Sequence, residues 1–227
     1  MMTFQSQSIF TFTRRHDIEL VKELIYVIDA YRINKFLEIN DLNKDIRAGK
    51  IGEEIINEWK NRIYPILVSF ASIPLKINEV KRQLKIKALL KLFKPLTGAL
   101  AFLFFFDASF GLILPQYTSI TPISAVLALI FFAALTAIGF SEVFVNIRIA
   151  KIIDKFFDER SYRFKADKEK LKEFNQKLIN SLSAYYQRYN IRDEKKKRII
   201  LFNNDYENIE VKKKPGVFKK YYEVVIK

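Results

Sequence analysis

The sequence predicts an α-helical membrane protein: a two-span transmembrane hairpin with a mainly helical cytoplasmic α+β domain that ends in a small antiparallel β-meander. Three observations predict it. Outside one window, roughly every third residue is charged, yet between Lys94 and Arg148 only Asp107 and Glu142 carry charge. That window holds two apolar runs, about 96–114 and 120–141, parted by the polar, proline-containing PQYTSI. From Arg198 onward the chain changes to short β-prone runs, split by Asn-Asn-Asp and by Pro215-Gly216.

Residues 1–94 are expected to form cytoplasmic amphipathic helices followed by a basic juxtamembrane collar. In TRRHDIELVKELIYVIDAYRINKFLEIN, the residues Ile18, Val21, Leu24, Ile25 and Ile28 share one helical face, and Thr13 is the candidate cap. The Phe and Thr alternation near Ile9 to Thr13 predicts an added edge strand. Gly49 and Gly52 then punctuate the chain before EEIINEWKNRIYPILVSFASIPL. Trp59 sits among charges in that stretch and is expected to be half buried. The apolar tail, Ile63 to Leu75, carries Pro65 and Pro74 and is too short to cross a bilayer, so core packing or an interfacial position is expected.

The collar, residues 76–94, has seven basic side chains against one acid, Glu79; its cations are Lys76, Lys81, Arg82, Lys85, Lys87, Lys91 and Lys94. Each apolar run in 95–142 is long enough to span, since about 20 helical residues cross a hydrocarbon core of about 30 Å. Basic residues flank both runs on one side and the linker has none, so the positive-inside rule places both termini in the cytoplasm. The N-terminal residues lack the order of a secretory signal peptide, because their positive charges follow the apolar ones.

Asp107 is the exception inside the spans. Counted from Leu96 it lies about 16 Å along the first helix, facing Ala128 and Leu129. An unpaired carboxylate at mid-membrane costs about 2.5–3.5 kcal/mol on insertion scales. It is therefore expected to bond locally, to Ser109 or a polar residue of the second span, to join copies of itself around a wet axis, or to lie near the outer interface. Ala133, Ala137 and Ser141 recur at four-residue spacing and are candidate packing residues, within the hairpin or between hairpins.

Residues 143–227 continue as helix through NIRIAKIIDKFFDERSYRF, and a further helix is expected to start near Asp167. Its seam, Leu171, Phe174, Leu178, Leu182, Tyr185 and Tyr189, needs a partner, either the N-terminal helix of the same chain or its counterpart in a neighbouring copy. This region carries 22 basic against 12 acidic side chains, much of the net charge of +14. The basic surfaces Lys195, Lys196, Lys197 and Arg198, and Lys212, Lys213 and Lys214, are expected to face anionic headgroups of the lipid bilayer. Nucleic acid is the second candidate partner, without a recognition motif to support it.

The chain has no cysteine, which excludes disulfides, thiolate metal sites and a cysteine nucleophile. His16 is the only histidine, and there is no Walker loop, dinucleotide-type glycine pattern or serine–histidine pairing, so no catalytic residue, cofactor or metal is expected. The two-span plan resembles that of CorA-type magnesium channels, but PQYTSI lacks the Gly-Met-Asn signature of that family. The expected function is that of a non-enzymatic, self-associating membrane-anchored interaction or scaffolding module. An oligomeric pore or ion channel with Asp107 near its lumen is the alternative, and a membrane tether for nucleic acid the third.

Overall fold

The computed structural model describes residues 10–13, 15–113, 121–216 and 219–227. The chain divides into two compact units, one formed by Met1–Ile73 with Phe157–Lys227 and the other by Pro74–Phe156. The expected PQYTSI linker lies outside the described residues.

In the first unit, helix α1 (Ile18–Arg32) buries Val21, Leu24, Ile25 and Ile28. Its cap is Asp17, whose carboxylate accepts from the Leu20 amide at 3.1 Å, and not the expected Thr13. Asp17 directly precedes the apolar stripe, whereas Thr13 closes a turn with His16, accepting from its amide at 3.1 Å. Helix α2 (Asn40–Arg47) adds Leu42 and Ile46 to the same core, and α3 (Glu53–Glu58) adds Ile55. A π-helical segment, Trp59–Ile63, then leads into α4 (Tyr64–Ser72). Trp59 is fully buried, not half buried as its charged neighbours imply, and its indole N–H donates to Asn43 Oδ1 at 3.0 Å. The apolar tail 63–75 serves as core: Ile63, Leu67 and Phe70 recur at three- and four-residue spacing and are all buried.

Helix α6 (Thr121–Glu159) ends one residue before α7 (Ser161–Arg188), which starts six residues earlier than expected. Phe157 and Phe164 lie on either side of that break, their ring centroids 4.6 Å apart, and both pack on Phe70. The α7 seam packs on α1 of the same chain, with Leu171, Phe174, Leu178 and Leu182 fully buried. After the short α8 (Glu194–Lys197) come strands β1 (Arg198–Leu201), β2 (Ile209–Lys213) and β3 (Tyr222–Ile226). All pairing is antiparallel, but the strand order is β1-β3-β2, so the sheet is not a meander. The reason is burial: β3 has Val224, Val225 and Ile226 inside, while no residue of β2 is fully buried, so the most apolar strand takes the centre. No strand forms at residues 10–13. Phe10 and Phe12 enter the core instead, and the Phe10 amide donates to Ser181 Oγ on α7 at 2.9 Å.

The second unit contains α5 (Asn78–Ile113) and most of α6. The basic collar and the first apolar run are one continuous helix through Pro95, so the expected spans are parts of longer elements. Both helices are long and apolar enough to cross a membrane, and only 6% and 11% of the residues in their most apolar stretches are buried. Small side chains let the two approach: Ala101, Ser124 and Ala128 are buried. Phe104 stacks on Phe131 with centroids 5.6 Å apart, and Lys94 pairs with Glu142 at 2.7 Å.

Candidate functional site

Helices α5 and α6 position Asp107, a carboxylate within their apolar stretches, by register. The Phe104–Phe131 and Lys94–Glu142 pairs put Asp107 level with Ala128, and the carboxylate reaches one turn further to accept from the buried Ser124 hydroxyl. Ser109 is turned away and donates to the Phe105 carbonyl at 2.8 Å. Asp107 nonetheless remains exposed on the outside of the hairpin, among the exposed Leu103, Phe106 and Phe110. The Asp107–Ser124 bond thus joins the two helices through polar groups within a largely apolar surface.

The other predicted residues are dispersed. Ala133 and Ala137 are exposed and Ser141 is half buried, so this small-residue stripe lies largely on the outer face of α6 and the hairpin packs through Ser124, Ala128 and Phe131 instead. In the collar, Lys81, Arg82, Lys85 and Lys91 are exposed, Lys87 is half buried, and Lys94 is held by Glu142. Of the C-terminal cations, Lys195, Lys196 and Lys214 are exposed, and Lys197 lies over the Tyr186 ring. Lys212 pairs with Glu210 at 2.8 Å and Glu194 at 3.1 Å, Lys213 with Glu223 at 3.2 Å, and Arg198 with the same Glu223 at 4.0 Å. Those carboxylates offset part of the field that the basic runs imply. His16 is half buried; its Nδ1 accepts from the Thr13 amide at 3.2 Å, and its ring meets Phe12 edge-on. Among the described residues no group of three or more His, Cys, Asp or Glu could hold a metal ion.

The densest polar constellation was not anticipated from the sequence. Asp29, fully buried on α1, accepts from the Phe202 amide at 2.5 Å, the Asn203 amide at 3.0 Å, Asn203 Nδ2 at 2.8 Å and the Tyr206 hydroxyl at 2.7 Å. Asn175 of α7 donates to the Ile25 carbonyl and to the Tyr206 oxygen. Arg32 forks onto Asp205 at 2.9 and 2.6 Å, and Lys172 joins the same carboxylate at 3.1 Å. The segment between β1 and β2 is thereby tied to both helices. Burial, reinforced by the Asp29 charge, pushes the Tyr206 phenol above its ordinary range. For Arg32, burial acts downward, but the bonds to Asp205 and Tyr206 outweigh it and leave the guanidinium raised.

The hydrogen bond from Arg32 holds the Asp205 carboxyl at about 2, below its ordinary 3.8, against an opposing desolvation. A depressed carboxyl stabilises the fold above its unfolded value, and that contribution disappears as pH falls through the folded one. Because the Asp205 side chain is 41% exposed, solvent screening limits the contribution to about 1 kcal/mol. Urea unfolding of wild type and Asp205→Asn should therefore differ by that amount at neutral pH, with the gap closing between about pH 4 and pH 2. A gap independent of pH would contradict the ion-pair origin.

The signal for this constellation was present in one respect: Asp29 lies four residues after Ile25 and eight after Val21, on the buried stripe itself. No protein-family model matches the chain, and neither does any curated protein or any solved structure.

Proposed function

We propose that this protein is a non-enzymatic, multi-pass membrane protein with both termini in the cytoplasm, acting as a self-associating anchor that presents its α+β unit as an interaction module. The observation that carries this reading is the unburied apolar surface of α5 and α6, which water would disfavour and lipid would cover. The Lys94–Glu142 pair fits the cytoplasmic edge of the hydrocarbon core. From there, Asp107 lies 13 residues along α5, about 20 Å into a core of about 30 Å, so it sits in the outer third where a carboxylate reaches headgroups at reduced cost. On the other side of the pair, the exposed Leu89, Leu92, Phe93, Val143, Phe144 and Ile147 fall within the headgroup layer. Lys85, Lys91, Arg148 and Lys151 lie beside them as exposed cations for anionic lipids.

An oligomeric pore is the second reading, favoured by the exposure of Asp107 on the hairpin's outer face, since a lumen would have to be shared between copies. A tether for nucleic acid has less support, given the carboxylate pairing of Lys212, Lys213 and Arg198.

The test uses the full chain in liposomes, with cleavable tags at both ends and cross-linking before solubilisation. Both tags should be cut from the same face, and cross-linked species larger than a monomer should appear. Tags on opposite faces, or a protein soluble without amphiphile, would overturn the membrane reading; monomers alone would overturn self-association. Ion flux through the same liposomes that Asp107→Asn alters would replace the anchor by the pore.

A further inference from the structure

A cavity of about 410 Å³ opens in the α+β unit between the start of α7, the end of α1 and the β1–β2 segment, lined by Arg32, Ser161, Tyr162, Lys165, Lys168, Glu169 and Asn203. We propose that this cavity binds a phosphorylated small molecule or headgroup, a use that the membrane-anchor reading neither requires nor assigns. Five of its residues, Ser161, Tyr162, Lys165, Lys168 and Glu169, recur at helical spacing and so line one face of α7. Arg32 and Asn203 close the opposite side from different elements.

The charge in the cavity is uneven. Arg32 is neutralised by Asp205 and Asp29, which fix its guanidinium at the wall rather than leave it to drift. Lys168 is also placed: it donates to Asn34 Oδ1 at 2.8 Å and lies 5.5 Å from the Phe157 ring centroid, contacts that hold its ammonium at the cavity. Lys165 is exposed and has no carboxylate within ion-pair distance among the described residues. Lys165 and Lys168, three residues apart on α7 and both lining the cavity, would be the cations that meet a phosphate. Glu169, Asn203 and the Tyr162 hydroxyl supply acceptors and an amide for the remainder of the ligand, suiting hydroxyl groups of a sugar, polyol or nucleoside portion. The volume lies in the usual range for small-molecule sites and exceeds what phosphate alone would fill.

The full-length protein in phosphatidylcholine nanodiscs is titrated with inorganic pyrophosphate by calorimetry. In a second arm it is mixed with vesicles of phosphatidylcholine containing 10 mol% phosphatidylinositol 4-phosphate, against vesicles of phosphatidylcholine alone. Both arms compare wild type with Lys165→Gln/Lys168→Gln and with a control of equal charge change, Lys195→Gln/Lys196→Gln, all checked for an unchanged melting temperature. Pyrophosphate binding weakened at least tenfold by the cavity variant and little by the control supports a soluble phosphorylated ligand. The same pattern confined to the phosphoinositide vesicles supports a lipid headgroup. Equal weakening by the two variants in both arms shows adventitious attraction to a basic surface and overturns the proposal, as does the absence of binding in both.

Discussion

Replacing Asp29 by alanine is expected to destabilise the α+β unit by about 3–5 kcal/mol, a large share of the stability of a domain of this size. The carboxylate is fully buried and is the shared acceptor for two backbone amides, an asparagine amide and a phenol. Its loss strands these donors away from water, at about 1–3 kcal/mol for each that finds no substitute. It also leaves Arg32 with Asp205 as its remaining carboxylate. Asp29→Asn should fall between, since it keeps the shape and one acceptor oxygen but sets an amide against groups that already donate. Urea unfolding followed by the fluorescence of the single tryptophan, Trp59, reads the effect. A loss under 1 kcal/mol for the alanine variant would mean that the β1–β2 segment is held by other contacts.

Trp59→Ala is expected to cost a similar amount, about 3–5 kcal/mol, through the cavity left in the core that it shares with Ile63 and Leu67 and the lost hydrogen bond to Asn43. Circular dichroism melting is the appropriate readout, because the variant has no tryptophan. Trp59→Phe separates the two contributions: it retains most of the ring volume and removes the indole donor. It should recover more than half of the loss, and a phenylalanine variant as unstable as the alanine one would assign the effect to the bond instead.

Elements whose information is local were legible in the sequence. The stripes on α1 and α7 follow the 3.6-residue period, and both long apolar helices follow from composition. The burial of Trp59 is hidden by Glu58 and Lys60, its neighbours in the chain but not on the helix face; Ile55 and Ile63, each four residues away, share its core. The sheet order was not legible either. Each strand's pattern states that it pairs, but which strand is central depends on relative burial against α1 and α7, a tertiary quantity. The Asp29 cluster draws on residues more than 170 positions apart, so only the misplaced acid on an apolar stripe could have signalled it. The hairpin's polar point was half legible: Asp107 stood out at once, while Ser124 as its donor required the register.

The central position of β3 has a consequence for biogenesis. A ribosome makes α1 well before α7 and the three strands that pack on it, and of those strands the one that joins the other two follows both of them in the chain. Closure of the α+β unit therefore waits for β3, and until then the apolar stripe of α1 is an uncovered surface that chaperones can hold.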